Sequence, residues 1–505
     1  MFKVKFLQDK KRCASGILAF ALLTSVPIWI VHATGTETPT PQPASLTVTP
    51  TPNPIPVTVG EGYKGVNDLP PLSLVSSVEG VDQGFAEKGA GPPDVGFACS
   101  PSVCLEATRN WYLLIGMDGT IRDKAYSVDL FRSLLLPKSG PSDPRPVYDT
   151  VTHTFYLSAF SDQRTCKMGQ VCETYFLLAV SDNSDPKSFK TGWSTFRSNA
   201  SEENGKGTST VPDFDSMAVA DHTVVVTSHV MAPNELNLYE KIRFTLVADV
   251  TNSVDLAHFA DPSGKIVFGG IQPVIEQDAP SDTPVYFLSV SGCNINVWKV
   301  TDPTKPKLEV KTAKASTTCT EPPMAKQLGA GPLSVAGGAV LLSQPVFRNG
   351  HIWAVQQVGV GSTAGIRWFE IDVSMWPKLT FIQDARLSNP NEYLNFPALA
   401  VDEQENMALI FGQSSSKEHP SLWITGRLAT DAPNTVRPPI LLHQSPESMD
   451  NVESSGGEMG LTENRYGDFF NCSFDFAGGF WCAGEYVKQP QWWGTWAGHV
   501  SFPAG

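Results

Sequence analysis

The chain has 505 residues, 41% hydrophobic and 17% charged, with 41 Gly, 40 Pro and a formal charge of −14. That mixture suits short strands joined by turns and argues against long helices, which favour Ala, Leu, Glu and Lys. Residues 1–33 carry Lys3, Lys5, Lys10, Lys11 and Arg12 against Asp9, so the remainder stands at −14 − 4 = −18, a charge that repels phosphate backbones and sets nucleic acid aside as a partner.

The first twelve residues are basic, and Cys13 to Val31 is an almost unbroken apolar run. Val31-His32-Ala33 then places short residues at −3 and −1 of a cleavage point, and Pro27 breaks the helix just before it. Residues 1–33 therefore read as a signal peptide. An uncleaved signal anchor is the alternative, because roughly nineteen apolar residues also suffice to span a bilayer. Such an anchor would be the chain's only membrane contact, since no other segment is apolar for long enough. Residues 34–62 alternate Thr and Pro, cannot build a core, and are expected to form a disordered, extended linker. Residues 63–505 form the body, placed by these signals outside the cell or at its surface.

Eight cysteines follow the signal, in four couples close in sequence. The simplest pairing in an exported chain is Cys99–Cys104, Cys166–Cys172, Cys293–Cys319 and Cys472–Cys482. No C-x-x-C and no suitably spaced His points to a metal instead.

Along the body, strand signals recur with turns between them. Trp111–Ile115 runs into Asp118-Gly119, a hairpin turn, and comparable runs continue to Trp492–Phe502. In the last run Trp492, Trp496 and Val500 face one way and Thr495 and His499 the other. This assigns Trp492 and Trp496 to the core and leaves Trp493 on the exposed face as a candidate for stacking on a sugar ring. No helical periodicity of ten residues occurs beyond the signal. A weak repeat places a Pro a few residues before an Asp and an alternating apolar run: Pro146 to Asp149, Pro212 to Asp221, Pro397 to Asp402. Units of about 55–65 residues, about seven of them, predict an all-β fold: a seven-bladed β-propeller of four-stranded antiparallel blades. Two stacked β-sandwiches are the alternative, though no internal linker marks a break.

Ordered motifs add a resemblance. Arg465-Tyr466-Gly467-Asp468-Phe469, Gly479-Phe480-Trp481, Glu485-Tyr486 and Trp493-Gly494-Thr495 are similar to the closing blade of sialidase-like bacterial β-propellers. Pro93-Asp94-Val95, Ala179-Val180-Ser181 with Asp185-Pro186, and Arg367-Trp368-Phe369-Glu370-Ile371 follow that family's order. Asp215, after Asp213-Phe214, departs from its D-Y-P motif. The resemblance implies the propeller fold; most such proteins carry no established activity to transfer.

A sialidase needs arginines for the substrate carboxylate, a tyrosine activated by a glutamate, and an acid. Arg367, Arg465, Asp468, Glu485 and Tyr486 are the catalytic candidates. Yet Glu485 and Tyr486 are strand neighbours and point to opposite faces, and an Arg465–Asp468 pair equally serves to lock the blade. Asp182, Asn183 and Asp185 form an oxygen-rich turn of the kind that holds Ca²⁺, although turns use these residues anyway; no other cofactor is implied. The leading expectation is a secreted or surface-tethered module that binds a glycan or protein. The alternatives are a glycoside hydrolase or lyase with a central-channel site and a structural surface protein.

Overall fold

The computed structural model describes residues 58–83, 91–136, 139–161, 173–208, 210–220, 223–232, 235–247, 249–264, 270–277, 279–280, 283–334, 341–451 and 464–503. The signal, most of the Thr/Pro linker and the Cys166/Cys172 couple lie outside these.

Nearly all of the described chain is strand and turn, and its one helix among the described residues is the five-residue Ser127–Phe131. Seven sheets have four or five strands. In chain order they comprise residues 96–126, 141–199, 211–257, 272–313, 346–387, 393–444 and 471–501, and are called here the first to the seventh sheet. All but one of their ladders are antiparallel. The exception is Ile275–Glu276, which leaves the fourth sheet and pairs in parallel with Val346–Arg348 as a fifth strand of the fifth sheet. The seventh sheet takes its outermost strand from the front of the body: Ser73–Asp82 pairs with Trp492–Ser501, from Ser73 opposite Ser501 to Asp82 opposite Gly494.

The strands read as near-continuous apolar runs because both faces of each sheet are covered. In Trp111–Gly116, Tyr112 and Leu114 turn towards Phe155 and Leu157 of the second sheet. Leu113 and Ile115 turn into a cluster with Phe480 and Trp481 of the seventh. Val147, Tyr156 and Phe176 of the second sheet likewise meet Met217, Val219 and Val226 of the third. Third and fourth sheets share Phe244, Phe287 and Trp298, and fourth and fifth share Leu288, Val297, Ile352 and Phe369. Fifth and sixth share Trp353, Trp368, Leu409 and Phe411. Each buried Leu, Ile or Phe contributes about 1.5–3 kcal/mol. The first strands lie against one another from the first sheet to the fourth and from the fifth to the seventh, and Asn471–Phe474 of the seventh returns to Gly96–Cys99 of the first; the fourth and fifth sheets meet through their shared core. The arrangement is propeller-like.

Three expected disulfides are present. Cys99–Cys104 and Cys472–Cys482 join directly opposite residues on neighbouring strands, and Cys293–Cys319 ties a hairpin to the segment after its sheet. The end of the Thr/Pro stretch and the residues after it lie along the edges of the sixth and fifth sheets: Gly60 N donates to Pro439 O at 2.8 Å and Lys64 N to Ser388 O at 2.7 Å. Asp149 and Asp402 of the Pro…Asp repeat cap the turns after their first strands, accepting from the backbone N–H groups of Val151 and Thr152, and of Gln404 and Asn406. Among the described residues no helix is long and apolar enough to cross a membrane.

Candidate functional site

The first strands of four adjacent sheets begin with carboxylates next to irregular backbone. Asp94 precedes Gly96–Cys99 with φ +55°. Asp143 has φ +48° and sits in a register slip between Ser142 and Arg145. Asp213 and Asp215 lie in the equivalent slip before Ser216. Asp468 follows Gly467, whose φ is +68° and where a Cβ would stand 2.8 Å from the Phe396 ring, so only glycine fits. Such bulges turn strand heads inward and re-aim their side chains. Neutral amides, Gln272, Gln344 and Asn395, stand beside or near a proline on the first strands of the other three sheets, all buried. The strand-head aspartates thus belong to the seventh, first, second and third sheets.

The backbone ties these heads together, with Val95 N donating to Phe469 O at 3.2 Å. The Asp94 carboxyl hydrogen-bonds to the carboxyls of both Asp143 and Asp468. Burial, and then mutual repulsion with Asp468 and Asp143, pushes Asp94 well above the usual carboxylate range. Asp143 and Asp468 are raised first by burial as well. Like charges held together out of water cannot all ionise at once, so the three carboxyls titrate as one group. Asp215 is 1% exposed, and burial, Asp143 and Asp213 raise it far above its ordinary value.

Arginines offset part of this charge. Arg145 is fully buried, donates from Nε to Asp215 O at 3.0 Å, and lies 3.2 Å over the Phe469 ring. Burial lowers its pKa to about 10 despite four neighbouring aspartates. Arg465 donates from Nη2 to Asp468 Oδ2 at 2.6 Å, and Asp468 is the first cause of its raised pKa. The Arg465 side chain is 33% exposed and that of Asp468 13%, so this pair opens the cluster to solvent. Glu485 supports it from beneath: Oε2 accepts from Gly467 N at 2.7 Å, its backbone carbonyl accepts from Tyr466 Oη at 2.8 Å, and burial raises its pKa well above the carboxylate range.

Further along the same strands Val147, Leu399 and Phe474 line, together with the polar Gln344, Asn471 and Ser473, a space of about 20 Å³, room for a water.

Of the expected residues, Arg465, Asp468 and Glu485 meet in this cluster. Tyr486 does not: it faces the other way, donating to Glu79 Oε1 at 2.6 Å and packing on His443 and Trp496. Arg367 is bound within its own neighbourhood, bidentate to Asp384 at 2.6 and 2.9 Å and donating to Cys293 O and Gln356 Oε1. Trp493, expected on an exposed face, is 2% exposed, with Nε1 donating to Gly91 O at 3.1 Å. The expectation fails because its strand has no exposed face: Trp493 and Thr495 turn towards the first sheet while Trp496 stacks on His443 of the sixth, 3.8 Å away. Asp185 pairs with Arg122 at 2.8 Å and with Lys187, and Asn183 Oδ1 accepts from Asp185 N. A calcium ion at Asp182, Asn183 and Asp185 would compete with both cations. The residues missed as site members are Asp94, Asp143, Arg145, Asp213 and Asp215. Their signal was an acid beside a proline at each strand head: Pro93-Asp94, Asp143-Pro144, Pro212-Asp213.

No protein-family profile and no curated protein sequence matches the chain. Among solved structures it is similar to a Trypanosoma rangeli sialidase in complex with the inhibitor DANA, at 8% identity and a TM-score of 0.36 over 76% of this chain. It spans 57% of that sialidase. A polysaccharide lyase of family PL25, an ulvan lyase, aligns at 9% identity and a TM-score of 0.38 over 81% of this chain and 93% of that one. A Synechocystis apocarotenoid oxygenase mutant aligns at 12% and 0.38, over 76% of this chain and 75% of that one. At TM-scores below 0.5 none of these bears on the reading of the site.

Proposed function

We propose that the chain is an exported seven-bladed propeller that binds a glycan, neutral or amine-bearing, at the carboxyl-rich heads of its innermost strands. One observation carries this reading: Asp94, Asp143, Asp213 and Asp468 converge from adjacent sheets, and Arg465 and Asp468 present the cluster to solvent. Carboxylates accept hydrogen bonds from sugar hydroxyls, and Arg465 supplies the matching donors. Six carboxyls, counting Asp215 and Glu485, against Arg109, Arg145 and Arg465 disfavour a sialic acid, whose carboxylate would meet like charge. Disulfides at three cysteine couples support an oxidising, extracellular setting.

The test is a glycan array probed with purified full-length protein. Wild type is expected to retain a neutral or amino-sugar ligand, and Asp468→Asn or Arg465→Gln to weaken it about tenfold or more with an unchanged melting temperature, as loss of one charge-assisted bond of about 1.5–3 kcal/mol implies. Absence of any glycan signal, or binding indifferent to both variants, would sink the proposal.

A further inference from the structure

His351, Glu370 and Glu405 come together away from the strand heads described above, where the turns after the first strands of the fifth and sixth sheets meet. His351 opens the second strand of the fifth sheet, directly after Asn349 and Gly350, whose φ values of +51° and +85° turn the chain back tightly. Glu370 lies on the third strand opposite Trp353, two residues along from His351, so both side chains project from one face. Glu405 comes from the first turn of the sixth sheet, held at φ +63°. One ligand atom from each residue lies within 4.8 Å of the other two, and among the described residues no other group of three His, Cys, Asp or Glu does this.

His351 Nδ1 and Glu370 Oε1 are 2.6 Å apart, and Nδ1 is shielded from solvent. The carboxylates are also held from behind, as metal ligands are: Gln383 Nε2 donates to Glu370 Oε2 at 2.7 Å and Asn349 Nδ2 to Glu405 Oε1 at 3.1 Å. The His351 and Glu405 side chains are partly exposed, so an ion can enter and keep a water.

We propose that His351, Glu370 and Glu405 bind a divalent transition-metal ion, zinc or manganese, through one nitrogen and two carboxylate oxygens. An imidazole with carboxylates selects these ions over calcium and magnesium, which prefer oxygen throughout. An ion about 2.1 Å from each donor spaces neighbouring donors about 3.4 Å apart, so the close pair opens slightly and Glu405 closes in. Because the ion bridges two sheets, binding raises the stability of the folded protein.

The test is calorimetric titration of chelator-treated full-length protein with Zn²⁺ and Mn²⁺, with Ca²⁺ and Mg²⁺ as controls, beside a thermal melt. The expected result is one equivalent of Zn²⁺ or Mn²⁺ bound, a higher melting temperature with metal, and affinity about tenfold or more weaker in Glu405→Gln and in His351→Gln. Glu405 sits on a turn, so Glu405→Gln is expected to melt like the metal-free wild type, which separates lost ligation from lost folding. No binding by wild type, or binding unchanged in both variants, overturns the proposal and leaves His351–Glu370 as an ion pair alone. Preference for Ca²⁺ or Mg²⁺ overturns the assignment of the ion.

Discussion

At the residue scale, burial pushes some interior carboxyls towards their neutral form while partners hold others charged. Glu106, fully buried between the first and seventh sheets, accepts from Thr495 Oγ1, and burial pushes its pKa up to about 7. The folded state then holds a proton that the unfolded chain releases near pH 4.3, so Glu106 costs stability as pH rises from about 4.5 to above 7. Depressed groups act in the opposite sense: Asp475, lowered by His499 and by two backbone N–H groups against its burial, withdraws stability as pH falls. Comparison with Glu106→Gln isolates the first effect, because glutamine keeps an acceptor for Thr495 and carries no proton to lose. The variant is expected to gain on wild type by up to a few kcal/mol between pH 5 and pH 8, read from urea unfolding at each pH. A constant difference across that range would show that Glu106 titrates normally.

At the element scale, the disulfides differ in what they restrain. Cys293–Cys319 spans 26 residues, against 5 for Cys99–Cys104 and 10 for Cys472–Cys482, whose partners already sit opposite one another in a ladder. On loop entropy alone, replacing the long bridge by serines costs about 3.5 kcal/mol and replacing the shortest about 2. Denaturant midpoints of the two double-serine variants are expected in that order; the reverse order would mean that strain or denatured-state structure outweighs loop length. The cysteine couples were legible because strand neighbours are also sequence neighbours. Arg465, Asp468 and Glu485 were legible for the same reason, lying close together in the chain. Asp94, Asp143 and Asp213 were not, because their meeting depends on four separate sheets converging, which no local pattern encodes. Trp493 misled because alternation says which residues share a face and nothing of what covers that face.

At the scale of the whole molecule, the all-β character and the repeat were readable from composition and turn spacing. The borrowed outer strand was not, since Ser73–Asp82 shares no sequence signal with its partner Trp492–Ser501. That pairing is expected to hold the assembly shut. Deleting residues through Asp82 leaves Trp492–Ser501 as a bare edge beside a large apolar cluster. The truncated protein is expected to lose its single cooperative melting transition and to aggregate, read by calorimetry and size-exclusion chromatography; a sharp transition and a monomeric profile would mean that the remaining contacts suffice. The same pairing sets an order of events during synthesis. Ser73–Asp82 is made early, and its partner is made about 410 residues later, which at about 5–20 residues per second is roughly 20–80 seconds of translation. Until then the early strand waits without its mate, and its sequence, SLVSSVEGVD, with three serines and two acids, is soluble enough to wait. The seventh sheet is therefore completed only after Trp492–Ser501 has left the ribosome, so its outer strand is the first of its members to be made and the last to find its partner.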